Sequence, residues 1–144
     1  MNLFNKLILV GATLSLAGCA TFGPAYQPDI NDPNVTKINI KQLMRPQVCV
    51  NGKWFRLKKD SLGYAVIPTG QRITLKNTFF EEQNQTYQDQ FFSCNKSLSF
   101  VPNTERTYYA NFDIRGTACH IEVFAEDSSR AVGLLAIEIG EPEC

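Results

Sequence analysis

From Val35 onward the apolar residues recur at every second position, and that period of two restricts the chain to strands. In Tyr108–Arg115 the side chains of Tyr108, Ala110, Phe112 and Ile114 fall on one face, and those of Tyr109, Asn111, Asp113 and Arg115 on the other. An apolar face backed by a polar one is the pattern of an antiparallel strand with a solvated side. Ile73–Lys76 and His120–Val123 alternate in the same way. Between Val48-Cys49-Val50 and Lys53-Trp54-Phe55-Arg56-Leu57 stand Asn51 and Gly52, a pair suited to the positive φ angles of a type I′ hairpin turn. Pro68-Thr69-Gly70, Pro102-Asn103 and Arg115-Gly116 mark further turns, and Thr86–Gln90 reads as a turn or a short helix. No window of twelve residues shows a helical face. The expectation is an all-β fold over residues 35–144: a small antiparallel β-sandwich or barrel of seven or eight strands.

The N-terminus has a different character. Lys6 precedes an apolar run of ten residues, Leu7–Leu16, which leads into Ala17, Gly18 and Cys19. A positive start, a short apolar stretch and small residues before a cut make a secretory signal. A membrane-spanning helix needs ~20 apolar residues, and Gly23, Pro24, Gln27 and Pro28 come too soon for one. Leu16-Ala17-Gly18-Cys19 resembles the lipobox of bacterial lipoproteins at all four positions. The resemblance implies that residues 1–18 are removed, that Cys19 Sγ carries a diacylglyceryl thioether, and that the freed amine is acylated. The lipid bilayer would then be a partner through Cys19. Ala20, where an Asp would resemble an inner-membrane retention signal, implies the outer membrane, with the domain facing the periplasm. Residues 19–34 then read as the lipidated cysteine and a flexible tether rich in Pro, Asn and Asp.

Removal of 18 of the 144 residues leaves 126, enough for one domain with its own core. The 14 basic and 14 acidic residues balance, and Lys6 is the only charge in the removed part. A net charge near zero gives no electrostatic reason to expect nucleic acid. Cys49, Cys94, Cys119 and Cys144 remain beside Cys19. Four thiols in an exported chain suggest two disulfides, for which three connectivities exist. Zinc is disfavoured, because it wants close pairs and these spacings are 45, 25 and 25 residues. Cys119 and Cys144 flank an expected C-terminal hairpin with its turn near Asp127–Ser129, which pairs them and leaves Cys49 with Cys94.

Catalytic chemistry finds little to work with. His120 is the only histidine, and adjacent strand residues such as Cys119 and His120 point to opposite faces. The same holds for Glu81 and Glu82 as a carboxylate pair, and nothing in the pattern recommends Asp89 or Glu105. With no phosphate-binding glycine loop or nucleophile motif, the chain is not expected to be an enzyme or to take a cofactor or metal. The aromatic doublets are the more telling feature. In Trp54-Phe55 and Phe79-Phe80 one ring can face a core while the other must face elsewhere. Outward rings would form a partner-binding patch or pack in cross-strand pairs.

Val50-Asn51-Gly52-Lys53, Gly63-Tyr64, Ile67-Pro68-Thr69-Gly70 and Ile73-Thr74-Leu75 together resemble the run of turns and strands in PEGA-like domains and related small β-sandwich lipoproteins. The resemblance covers residues 47–76, with Gln71-Arg72 where that family more often has a His after the Gly. It implies envelope binding or scaffolding, of an envelope protein or peptidoglycan, rather than catalysis. Cys49 followed by Gly52 also resembles the start of lysozyme-inhibitor lipoproteins, whose Ser-Gly-x-x-Tyr loop is missing here. That function, and then an envelope hydrolase, are the alternatives.

Overall fold

The computed structural model describes residues 23–29, 31–83, 90–131 and 133–144. The signal, Cys19, the start of the tether, Asp89 and most of the Thr86–Gln90 stretch lie outside them. Among the described residues there are nine strands and no helix. They are β1 (Val35–Asn39), β2 (Pro46–Val50), β3 (Lys53–Arg56), β4 (Tyr64–Pro68), β5 (Ile73–Gln83), β6 (Gln90–Phe100), β7 (Tyr108–Arg115), β8 (Ala118–Glu126) and β9 (Leu134–Ala136). The count exceeds seven or eight because pieces as short as β9 carry too few residues to show alternation.

The hairpin at Asn51-Gly52 forms with φ angles of 51° and 74°, and sets Val50 opposite Lys53. That register, with those of its neighbours, builds a four-stranded sheet in the order β3-β2-β5-β6. The other sheet has five strands, β4-β1-β7-β8-β9. All pairings are antiparallel except β1 with β7, which no hairpin connects and which run parallel for two residue pairs. Period-two alternation turns one side of each sheet inward. Phe55, Val48, Leu75 and Leu98 lie in register across the four-stranded sheet. Ala65, Ile38, Tyr108 and Ala125 do so across the five-stranded one. These rows meet in one core, in which Ile38, Val48 and Leu75 are wholly buried. Burial of each such side chain contributes about 1.5–3 kcal/mol. Rings bridge the two layers: Phe79 stacks on Phe112 at 5.9 Å, and Phe100 meets Tyr108 at 5.4 Å. The buried Tyr108 hydroxyl accepts a hydrogen bond from the Asn103 backbone N–H at 2.8 Å.

Two disulfides are present, but not in the expected pairing. Cys49 bonds Cys144 and Cys94 bonds Cys119, with Cα separations of 5.6 and 6.4 Å. The expected C-terminal hairpin exists as β8 and β9, with Glu126 opposite Leu134. It ends after three residues, and the chain then crosses to the other sheet. Ile137 packs against the core, and Gly140 exchanges backbone hydrogen bonds with Ser99 on the free edge of β6. Cys144 thereby arrives over Cys49 rather than beside Cys119. Cys94 and Cys119 both face inward and tie the two layers together.

Candidate functional site

Beyond Ser99 the C-terminal segment runs as a strap over the outer face of the four-stranded sheet. The Thr74 hydroxyl bonds the Glu143 carbonyl and lies 2.6 Å from the Ser99 hydroxyl, whose oxygen accepts the Glu143 N–H at 3.2 Å. Under this strap Cys49, Thr74 and Ser99 are buried although their strand positions point outward. The rest of the outer face stays open. Among the described side chains it carries Trp54 and Arg56 on β3, Gln47 on β2, Lys76, Thr78 and Phe80 on β5, and Ser97, Asn95 and Ser93 on β6.

Cations sit on the rings of this open face. Lys76 Nζ lies 4.1 Å from the Trp54 ring centre, and the Arg45 guanidinium carbon lies 4.8 Å from that of Phe80. Such contacts are worth about 0.5–1 kcal/mol at exposed sites, and here they hold a charge and a ring side by side. Phe80 is 46% exposed, and the neighbouring Met44 side chain is 52% exposed. Arg45 belongs to the loop between β1 and β2, which two anchors position. The buried Asn77 side-chain oxygen accepts the backbone N–H groups of Met44 at 3.0 Å and Arg45 at 3.2 Å. Lys59 Nζ donates to the carbonyls of Lys41 and Leu43, each at 3.3 Å. Between Met44–Gln47 and Arg56–Lys58 lies an open hollow of about 310 Å³, with three cations and no carboxylate among its lining residues.

The β3 edge that borders this face is not bare. Residues 23–26, within the stretch read as tether, run parallel to it. Arg56 N–H donates to the Pro24 carbonyl at 2.9 Å, Tyr26 N–H to the Arg56 carbonyl at 2.8 Å, and Arg56 Nε to the Gly23 carbonyl at 3.0 Å. Gly23 is required by closeness: a Cβ there would stand 2.6 Å from the Trp54 carbonyl oxygen.

The four aromatic candidates divide by face. Trp54 and Phe80 point outward on the same sheet. Phe55 is half-buried against the core with Tyr26 at its edge, 5.7 Å away, and Phe79 lies between the sheets. Cys119 is buried in its disulfide, while His120 is exposed on the opposite face of β8, across from Asp113. Glu81 and Glu82 are consecutive in β5, and Glu105 lies in an exposed turn. The sequence reading missed Lys76 and Arg45, the cations on the rings. Lys76 was within reach of a register argument, since Gln47 pairs with both Arg56 and Lys76.

The outer face of the five-stranded sheet carries Tyr64, Asn39, Tyr109 and Phe124 in register. The rings of Tyr64 and Tyr109 meet edge-on at 6.4 Å. Among the described residues no group of three or more His, Cys, Asp or Glu side chains converges. Compared with known proteins, the chain matches no family model, no curated protein and no solved structure.

Proposed function

We propose that the chain is a lipid-anchored protein of the bacterial envelope, held at the outer membrane toward the periplasm, that binds or scaffolds rather than catalyses. The observation that carries the reading is the cysteine arrangement. Two disulfides take up all four cysteines after residue 19, which suits an oxidising compartment, and leave Cys19 of the Leu-Ala-Gly-Cys run as the thiol to be lipidated. In this reading residues 1–18 are the removed signal and Trp54 and Phe80, with Lys76 and Arg45 on their rings, are the contact residues. Aromatic anchors paired with cations are the side chains that dominate binding surfaces.

Mass spectrometry of the mature protein tests the anchor: the chain should begin at Cys19 and carry a diacylglyceryl group, and Cys19→Ser should accumulate as full-length precursor. A photoreactive residue placed at 54 or 80 tests the face. It should give adducts in cells, whereas the same group at 109 on the opposite sheet should not. Adducts from position 109 alone would move the binding function to the other sheet.

A further inference from the structure

We infer that the outer face of the four-stranded sheet is a membrane-contact face, which lays the domain against the phospholipid headgroups instead of projecting it into the aqueous space. The inference rests on the lipoprotein reading and names the partner of that same face.

Reach is the first argument. Gly23 is fixed beside Trp54 by the β3 edge, and Cys19 lies four Cα steps before it. Four extended residues span at most about 14 Å. A lipid on Cys19 therefore keeps the β3 edge within that distance of the bilayer surface. The open face begins at this edge and so comes within reach of the surface, whereas the other sheet's outer face is about 10 Å further through the sandwich.

Chemistry is the second argument. The face and its hollow carry Arg45, Arg56, Lys58 and Lys76, while Glu82 follows Phe80 by two residues in β5. The strap adds two acids, Glu141 and Glu143, where its backbone crosses Thr74 and Ser99 and ends at Cys49, which stands opposite Trp54. The opposite outer face mixes Lys37 and Arg115 with Asp113, Glu122 and Glu126. The apolar groups on the proposed contact face suit a headgroup layer as well. Trp54 and Phe80 place a ring beneath a cation, and Met44 stands exposed next to Arg45. Rings with a polar partner settle at the boundary between acyl chains and headgroups, where cations also lie close to the lipid phosphates. An acyl anchor combined with a basic patch gives two attachments to one membrane.

Trp54 is the only tryptophan, so its fluorescence reports this face alone. The lipidated full chain is reconstituted in phosphatidylcholine vesicles containing phosphatidylglycerol, with bromine carried near the headgroup end of the acyl chains. Flotation checks the anchor, and bromolipid and acrylamide quenching read the position of the ring. The expected result is strong bromolipid quenching with protection from acrylamide. Arg45→Glu/Lys76→Glu should reverse both while flotation is unchanged, because loss of each cation lowers the docked-to-free ratio about fivefold and the new carboxylate opposes docking further. High salt on the wild type should do the same without any substitution. Protein that floats while Trp54 stays open to acrylamide and unquenched by bromolipid would overturn the inference and leave the face to an aqueous partner. Protein that neither floats nor carries a lipid would overturn the anchor itself, a distinct signature.

Discussion

Replacement of Asn77 by leucine would fit the space but leave the backbone N–H groups of Met44 and Arg45 without their acceptor. Buried donors left unpaired cost about 1–3 kcal/mol each. Asn77→Leu is therefore expected to lower the urea midpoint and to loosen the loop that holds Arg45 on Phe80. Hydrogen exchange at Met44 and Arg45 would show the loosening, and unchanged protection there would rule the account out. On the opposite face, the hydrogen bond to the Tyr64 hydroxyl, and then partial burial, push the Tyr109 phenol up to about 12. An unfolded tyrosine titrates near 10. The folded state thus keeps a proton that the unfolded chain has lost. The resulting stability is fully present below pH 10 and disappears as the pH rises towards 12. Ultraviolet titration should find one tyrosine ionising late, and Tyr64→Phe should bring it back toward the others.

At the scale of elements, the C-terminal strap and the two bridges carry the next prediction. The Cys49–Cys144 bridge closes 95 residues and Cys94–Cys119 closes 25. In the chain-entropy model the longer loop restrains the unfolded chain more, by about 1 kcal/mol. Cys49→Ser/Cys144→Ser should accordingly be the less stable of the two double variants in urea, and equal midpoints would count against that model here. The strands themselves were readable because alternation is a local property of the chain. The pairing of the bridges was missed, yet the same alternation contained the signal. Cys49 sits between Val48 and Val50, both inward, so it faces out. Cys94 and Cys119 each stand four and six residues before inward side chains, Leu98 and Phe100 or Val123 and Ala125, so they face in. A Cys49–Cys94 bond would join opposite faces of one sheet. That Cys144 crosses to Cys49 could not be read locally, because it depends on Ile137 and Gly140 docking on the other layer.

Over the whole molecule the two sheets share one core, and Phe79 with Phe112 is one of the ring pairs that join them. A double-mutant cycle with Phe79→Ala and Phe112→Ala should give a coupling of about 0.5–1.5 kcal/mol. Additive losses would mean that the rings fill space independently. How the sheets meet was not legible in the sequence, because a doublet such as Phe79-Phe80 says that one ring turns in but neither which one nor what it meets. The open face was legible only in part. Trp54 and Phe80 were among the candidates, whereas Arg45 reaches Phe80 only through a loop whose placement depends on Asn77. The nested bridges also bear on the order in which the protein can mature. On the proposed export route the chain emerges from its N-terminus, so Cys49 meets oxidant while Cys144 has yet to be delivered, and Cys94 is the next cysteine to follow it. Oxidation in order of emergence would make a bond that the closed sandwich cannot contain, so correct maturation of this protein requires either delay or reshuffling of its first disulfide.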